Sequence, residues 1–411
     1  MEFGLDQVAD WCDAERTPSE AAPVVRHIVT DSRESLPPGS LFVALDGEHF
    51  DAHRFVDEAA RKGAVAALVS RLPDTPSPDD LPYLVVDDTL EALQQLATRW
   101  RAQFDIPVVG VTGSNGKTIV KEMLAGICSR DRTTYRSPAS YNSQVGVPLS
   151  LLGLADEHRL AIIEAGISRP AEMERLEAMI APTAGLLTNI GLAHAAGLKT
   201  LETTAGEKLE LFANLGDGPL VYPAGCAPLE AFELPGRPVS FGCRFATDTA
   251  PAVEEADYLA LNAQRTNAGY DFGVAFPDGR RHHFALHVPG EHNLRNAVAA
   301  IALADQLDIP VEAMREGLVA YESSPLRLEM HTTPRGVTLI NDAYSSDPVS
   351  ARAALQTLQQ YGRGGRTIAI LGDMLDLGAR SEAAHRQLGR AVARADIDRL
   401  ICYGQRARDI G

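Results

Sequence analysis

Residues 106–130, IPVVGVTGSNGKTIVKEMLAGICSR, most constrain what this chain can fold into. A short apolar run enters a glycine-rich turn, and the turn opens into an amphipathic run of helical spacing. That order is a buried strand, a tight loop and a helix, the beginning of a unit whose next strand lies parallel to its first. The alternation continues downstream: LAIIEAG and AGLLTNIG read as further buried strands, with the helix PAEMERLEAMI between them. The fold class is therefore α/β, with a central parallel sheet and crossover helices.

The turn itself carries chemistry. Gly110, Gly113 and Gly116 permit torsions and close approaches that a side chain would forbid. Its amides and the N-terminus of the next helix face an anion. Lys117 offers a point charge to β- and γ-phosphates, and Thr118 a hydroxyl to Mg²⁺. The spacing is G-x-x-G-x-x-G-K-T, with Val111 where the strict phosphate-loop pattern has glycine. An ordinary glycine-rich turn leaves the Lys-Thr pair between strand and helix without a reason. Gly113, Ser114, Asn115, Gly116, Lys117 and Thr118 are thus read as a nucleotide-phosphate cradle, with ATP and Mg²⁺ as its ligands.

At 411 residues the chain is too long for one ordinary core. Three segments are expected: 1–103, 104–323 and 324–411. The first mixes short strands (SLFVALDG, VAALVS, YLVVDD) with helices and closes on the helix TLEALQQLATRWRAQF. The second holds the phosphate loop, a β-rich stretch near 218–289 and the helix GEHNLRNAVAAIALADQLDIP. The third reads as a Rossmann-like half, with strands GVTLIND, RTIAILGD and RLICYG separated by helices. A full domain of that kind carries one or two strands more, so an incomplete third domain is expected.

A formal net charge of −17 repels nucleic-acid backbones and anionic membranes, so no nucleic-acid partner is expected. No apolar run reaches the ~20 residues of a membrane helix, and no signal-peptide layout opens the chain. Five scattered cysteines without a CxxC fit small core residues in a reducing cytoplasm.

Other residues gain weight from position. Glu164 ends the strand LAIIE beside the loop, where a Mg²⁺ ligand belongs, although a strand-end surface glutamate is the plain alternative. His194, after the next strand, is a second ligand candidate or a satisfied core histidine. Lys208, on TTAGEKLELFANL, reads from its own helix as a surface lysine. Asn293 and Asn296 share a helix face, and Asn293 also suits an N-cap. Arg327 sits at the junction of segments two and three, within reach of a nucleotide held between them. Asp342 and Asp373 end strands of the third segment, where they either line a ligand edge or cap the next turn.

Taken together, GVTGSNGKT, SYNSQVGVPLSLL, IIEAGIS, TNIGLAHAAG, EKLELF, GEHNLRNAVAA and INDAYSSDP resemble the Mur ligase family over nearly the whole chain. The resemblance implies a three-domain architecture: a small UDP-substrate-binding domain, a central P-loop ATP domain and a Rossmann-like C-terminal domain. TDSRESLPPGSLFVALDGEHF and LGDMLDLG resemble the branch that joins D-alanyl-D-alanine to UDP-N-acetylmuramoyl-tripeptide. The resemblance then implies small-molecule partners, an acyl-phosphate intermediate, and Mg²⁺ on Thr118, Glu164 and His194. It implies carbamylation of Lys208 as a further metal ligand. It places nucleotide contacts at Asn293, Asn296, Arg327 and Asp342, uridine diphosphate contacts at Asp31, Ser32 and Arg33, and the muramoyl peptide near Asn142. GSNGKTIVKE, SPASYNSQVGVP and EAGISRPAEME resemble the variant fused to an alanine racemase, which implies a fused or partner racemase domain. Ser345 and Asp347 depart from the familiar pattern, with two asparagines replaced. Competing expectations are another amide ligase of the same architecture (folylpolyglutamate or cyanophycin type), an inactive scaffold, or a P-loop switch.

Overall fold

The computed structural model describes residues 2–19, 22–33, 35–47, 50–73, 81–191, 195–198, 200–244, 253, 255–362 and 364–411. The first unit is a five-stranded sheet of β1 (Glu15–Arg16), β2 (His27–Val29), β3 (Ser40–Val43), β4 (Ala64–Val69) and β5 (Tyr83–Val85). Its order is β1-β5-β4-β3-β2, antiparallel only at β1–β5. Helix α1 (Thr89–Arg101) follows, started by Asp88, whose carboxylate accepts from the amides of Leu90 and Glu91 at 2.8 and 3.0 Å. The same helix fastens the first unit to the second. In its last turn the buried Arg101 donates to Ile180 O at 3.0 Å and Phe104 O at 2.8 Å, and Trp100 donates to Leu154 O at 3.2 Å. One continuous apolar core accordingly runs from Leu41 and Leu68 through Leu93 and Leu96 to Ile163 and Leu176.

The second unit is a nine-stranded sheet. Its strands are β6 (Val108–Thr112), β7 (Thr134–Arg136), β8 (Leu160–Glu164), β9 (Ala184–Leu187), β10 (Pro219–Pro223), β11 (Arg237–Cys243), β12 (Tyr258–Arg265), β13 (Tyr270–Ala275) and β14 (Arg281–Leu286). The order is β7-β8-β6-β9-β10-β11-β12-β13-β14, parallel up to β12 and antiparallel beyond. Both faces are covered, which is why these strands read as unbroken apolar runs. On β8, Ala161 and Ile163 enter the core shared with the first unit, while Leu160 and Ile162 face helices α2 (Lys117–Cys128) and α3 (Glu291–Gln306). Gly110 lies inside β6, where a Cβ would meet Leu211 at 3.2 Å. It is a packing glycine of the strand and not part of the phosphate loop. Strand β6 lies between β8 and β9, so the chain leaves it at the point where the strand order reverses, the usual place for a ligand crevice.

The third unit differs from the expected three-stranded half. Strand β15 (Glu329–Thr332) pairs antiparallel with β16 (Thr338–Asn341), and the parallel pair is β17 (Ile368–Gly372) with β18 (Arg399–Tyr403). Among the described residues β16 and β17 do not pair. Both instead line one cleft of about 1080 Å³, with helix α4 (Pro348–Tyr361) along its wall. The reason is local: the turn Thr333–Gly336, closed by Thr333 N to Val337 O at 2.9 Å, gives β16 a hairpin partner first.

Candidate active site

The cradle is held open by the loop after β9. Gly113 has φ +144°, and a Cβ there would come 1.9 Å from Thr188 Oγ1. Gly116 has φ +80°, and its Cβ would meet Asn296 Oδ1 at 2.8 Å. Both positions therefore require glycine. The amides of Ser114 and Asn115 donate to Asn189 O and Oδ1 at 3.0 and 2.9 Å, and Thr188 Oγ1 donates to Asn115 O. Ser114 Oγ and Gly191 exchange two further bonds, at 3.0 and 2.8 Å. The loop is thus rigid before any ligand arrives. The amides left to bind an anion are those of the first turn of α2, which have no intrahelical acceptor.

Two lysines converge on the same carbonyl. Lys117 Nζ donates to Gly113 O at 2.9 Å and Ser114 O at 3.2 Å, and Lys208 Nζ donates to Gly113 O at 3.2 Å. Lys208 is 2% exposed, so its surface reading is corrected. Its helix (Leu201–Leu209) turns that face inward, a placement that helical spacing leaves open. Burial and the neighbouring Lys117 charge push its pKa well below the lysine range. Burial also lowers Lys117, with the Glu164 carboxylate opposing that shift.

Across the cleft, Glu164 is 1% exposed. Asn142 Nδ2 donates to its Oε1 at 2.6 Å, while Oε2 has no hydrogen-bond partner among the described residues. A buried carboxylate oxygen without a donor is what a cation ligand looks like before the cation. Thr118 Oγ1 lines the same cleft, 3.1 Å from Ser140 Oγ. These oxygens fit Mg²⁺. Arg327, from the third unit, reaches over them: its Nη2 donates to Thr118 Oγ1 at 3.2 Å and Ser140 Oγ at 3.1 Å, and its guanidinium lies 4.0 Å over the Tyr344 ring. Arg327 thus crosses from the third unit to the first turn of α2.

Other expected residues divide. Asp342 lines the cleft and accepts from Leu328 N at 3.1 Å, and burial raises its pKa. Asn293 does not cap its helix, because Gly290 stands at the N-cap; its Nδ2 returns to Pro289 O at 2.6 Å and its Oδ1 is buried without a hydrogen-bond partner among the described residues. Asp347 is the N-cap of α4, accepting from Val349 and Ser350 amides at 2.8 and 3.2 Å, which gives this departure from the familiar pattern a structural role. Ser345 lines the cleft. Asp373 lines it as well, but its Oδ1 is taken by the amides of Arg406 and Ala407 at 2.9 and 2.7 Å, so it caps. Asp31, Ser32 and Arg33 lie apart, in the loop that follows β2 of the first sheet. Asp31 holds the Arg33 guanidinium and amide, which lowers its pKa to about 2, and Lys62 Nζ binds Ser32 O. His194 lies outside the described residues. Sequence reasoning missed Thr188, Asn189 and Ser140, whose signal was only their place in TNIG and SPASYN.

Fold and cleft define an α/β ligase class in which a phosphate-loop domain and a second α/β domain share one nucleotide crevice. The Mur ligase middle-domain family matches residues 111–304, and the Mur ligase, glutamate ligase domain family matches residues 326–411. The chain belongs to the Mur ligase family. It is 36% identical over 409 residues to the Escherichia coli UDP-N-acetylmuramoyl-tripeptide–D-alanyl-D-alanine ligase, covering 99% of this chain and 87% of that one. A crystal structure of MurF from Acinetobacter baumannii superposes with a TM-score of 0.88 at 30% identity, over 100% of this chain and 87% of that one. MurF ligase from Thermotoga maritima, in complex with ADP, gives 0.80 at 26% identity over 94% and 86%.

Proposed function

We propose that this chain joins D-alanyl-D-alanine to UDP-N-acetylmuramoyl-tripeptide at the expense of ATP, in peptidoglycan precursor synthesis in the cytoplasm. The observation that carries this reading is the shared cleft, where Lys117, Thr118 and Glu164 of the loop domain face Arg327 and Asp342 of the third unit. Such a crevice suits phosphoryl transfer, which needs positioning and charge neutralisation more than covalent help. No helix among the described residues is long and apolar enough to cross a membrane. The chain is read as domains 1–103, 104–323 and 324–411.

The γ-phosphoryl group of ATP passes to the terminal carboxylate of the tripeptide, giving an acyl phosphate and ADP. The amine of D-alanyl-D-alanine, having lost a proton, attacks the acyl carbon; the tetrahedral intermediate collapses to amide and phosphate. The first-turn amides of α2 bind the phosphates, and Lys117 leaves the Gly113 and Ser114 carbonyls to neutralise them. Thr118 and Glu164, with His194 and a carbamylated Lys208, would hold Mg²⁺, which would supply charge neutralisation at the phosphoryl oxygens. A neutral, buried Lys208 amine adds to CO₂ with loss of a proton, and the resulting carbamate is anionic. Asn293, Asn296, Arg327 and Asp342 contact the nucleotide, Asp31, Ser32 and Arg33 the uridine diphosphate, and Asn142 the peptide end.

The test is phosphate release from ATP and Mg²⁺ with each small substrate alone and with both together. Release that requires both is expected. Release that is indifferent to the dipeptide would overturn the reading.

A further inference from the structure

One turn beyond Lys117, on the same helix, stands a second lysine that the function so far does not use. Lys121 is 0% exposed and lines neither of the clefts beside it. Its neighbours on α2, such as Val120, Met123 and Leu124, are ordinary core residues. A buried ammonium is costly unless every proton is placed, and an apolar side chain would serve packing better. Something other than packing accounts for it.

Two of its protons go to Ser137 O at 2.8 Å and to Ala139 O, and Glu122 Oε1 forms an ion pair with it at 3.1 Å. The two carbonyls belong to one loop, residues 137–142, which is wound about the ammonium tightly enough to leave Ala139 at φ +41°. What this loop presents is the candidate site. Ser137 Oγ accepts from Glu164 N at 3.1 Å, Ser140 Oγ stands 3.1 Å from Thr118 Oγ1, and Asn142 holds Glu164 Oε1 at 2.6 Å. The ammonium is also 3.8 Å from Glu164 Oε2. That is close enough to balance the buried carboxylate, and too far to take the lone pairs of an oxygen that no other donor among the described residues occupies.

We propose that Lys121 is a positioning residue: it winds the 137–142 loop into place and compensates Glu164 while leaving Oε2 open to a cation. It touches neither nucleotide nor peptide. The kinetic part of the test rests on the function proposed above; the loop part does not.

The experiment uses the full chain carrying Lys121→Met, which keeps most of the length of the side chain and removes its charge and donors. Amide exchange read by mass spectrometry should rise about tenfold or more within residues 137–142, with residues 117–128 and 160–164 unchanged. With wild-type turnover established, kcat should fall about a hundredfold while the KM for ATP moves less than about threefold. Ser137→Ala added to Lys121→Met should cost less than about twofold more, because the Ser137 hydroxyl acts on Glu164 through the same loop. Lys121→Arg keeps the buried charge but cannot place one nitrogen between the two carbonyls, so it should give an intermediate rise in loop exchange. It carries the measurement if Lys121→Met does not fold. Unchanged loop exchange, exchange raised equally along the helix, or fully multiplicative losses with Ser137→Ala would overturn the proposal. An inactive wild type with the loop-confined exchange would sink the proposed reaction and leave the role of Lys121 standing.

Discussion

Gly113→Ala is the sharpest test of how the cradle is built. The new methyl would lie 1.9 Å from Thr188 Oγ1 and 3.1 Å from the Asn189 amide nitrogen, at a φ of +144°. The hydroxyl can swing away, but only by giving up its bond to Asn115 O. The amide belongs to the backbone and cannot yield cheaply. Holding alanine at that torsion costs about 1–3 kcal/mol. Losing the hydroxyl bond costs about 1 kcal/mol. The sum is about 2–4 kcal/mol, read as a fall in unfolding free energy in urea. Because Lys117 and Lys208 both donate to Gly113 O, a shift there moves both amines. ADP affinity measured by calorimetry should fall about a hundredfold. Thr188→Ala removes the clashing hydroxyl, so in that background the same glycine change should cost about 1 kcal/mol less. If Gly113→Ala lies within about 0.5 kcal/mol of wild type and binds ADP normally, the argument from torsion and close approach is wrong.

Further outcomes follow from the same geometry. Lys117→Ala should lower turnover at least about a hundredfold by removing phosphate charge, and near wild-type activity would contradict the assigned role. For Lys208, the folded pKa lies well below the unfolded value of 10.5, so the unfolded chain binds more protons. In CO₂-free buffer this makes the stability of the wild type climb as pH rises towards 10.5, and Lys208→Met should flatten that slope in denaturant titrations. Arg327→Ala should weaken nucleotide binding about 10-fold, seen as a raised KM for ATP, since it is the charged contact carried across from the third unit. The thiols of Cys12, Cys128 and Cys243 are pushed up to about 12 by burial, so none should react with a disulfide reagent near pH 8 until the chain unfolds.

What could be read from the sequence was whatever depends on near neighbours in the chain. Strand, loop and helix at 106–130 follow from apolar period and glycine placement, and both faces of β8 are apolar because both are covered. Glycine at 113 and 116 was legible as a torsional need. Its partner atoms on Thr188 and Asn296 were not, because they lie 75 to 180 positions away. Lys208 and Lys121 look alike in sequence to any exposed helical lysine, since helical period does not say which polar face meets another element. The capping roles of Asp347 and Asp373 and the hairpin pairing of β16 likewise turned on which backbone amides arrived nearby. The sequence alone determined the parallel α/β frame, the glycine-rich turn between strand and helix, and the family. Tertiary structure alone decided that Arg327 lies over Thr118, 209 positions back, and that one oxygen of Glu164 has no hydrogen-bond donor among the described residues. Backbone preferences act over a few residues, whereas hydrogen bonds and charge compensation act over a few ångströms, and only the folded chain makes those two measures of distance agree.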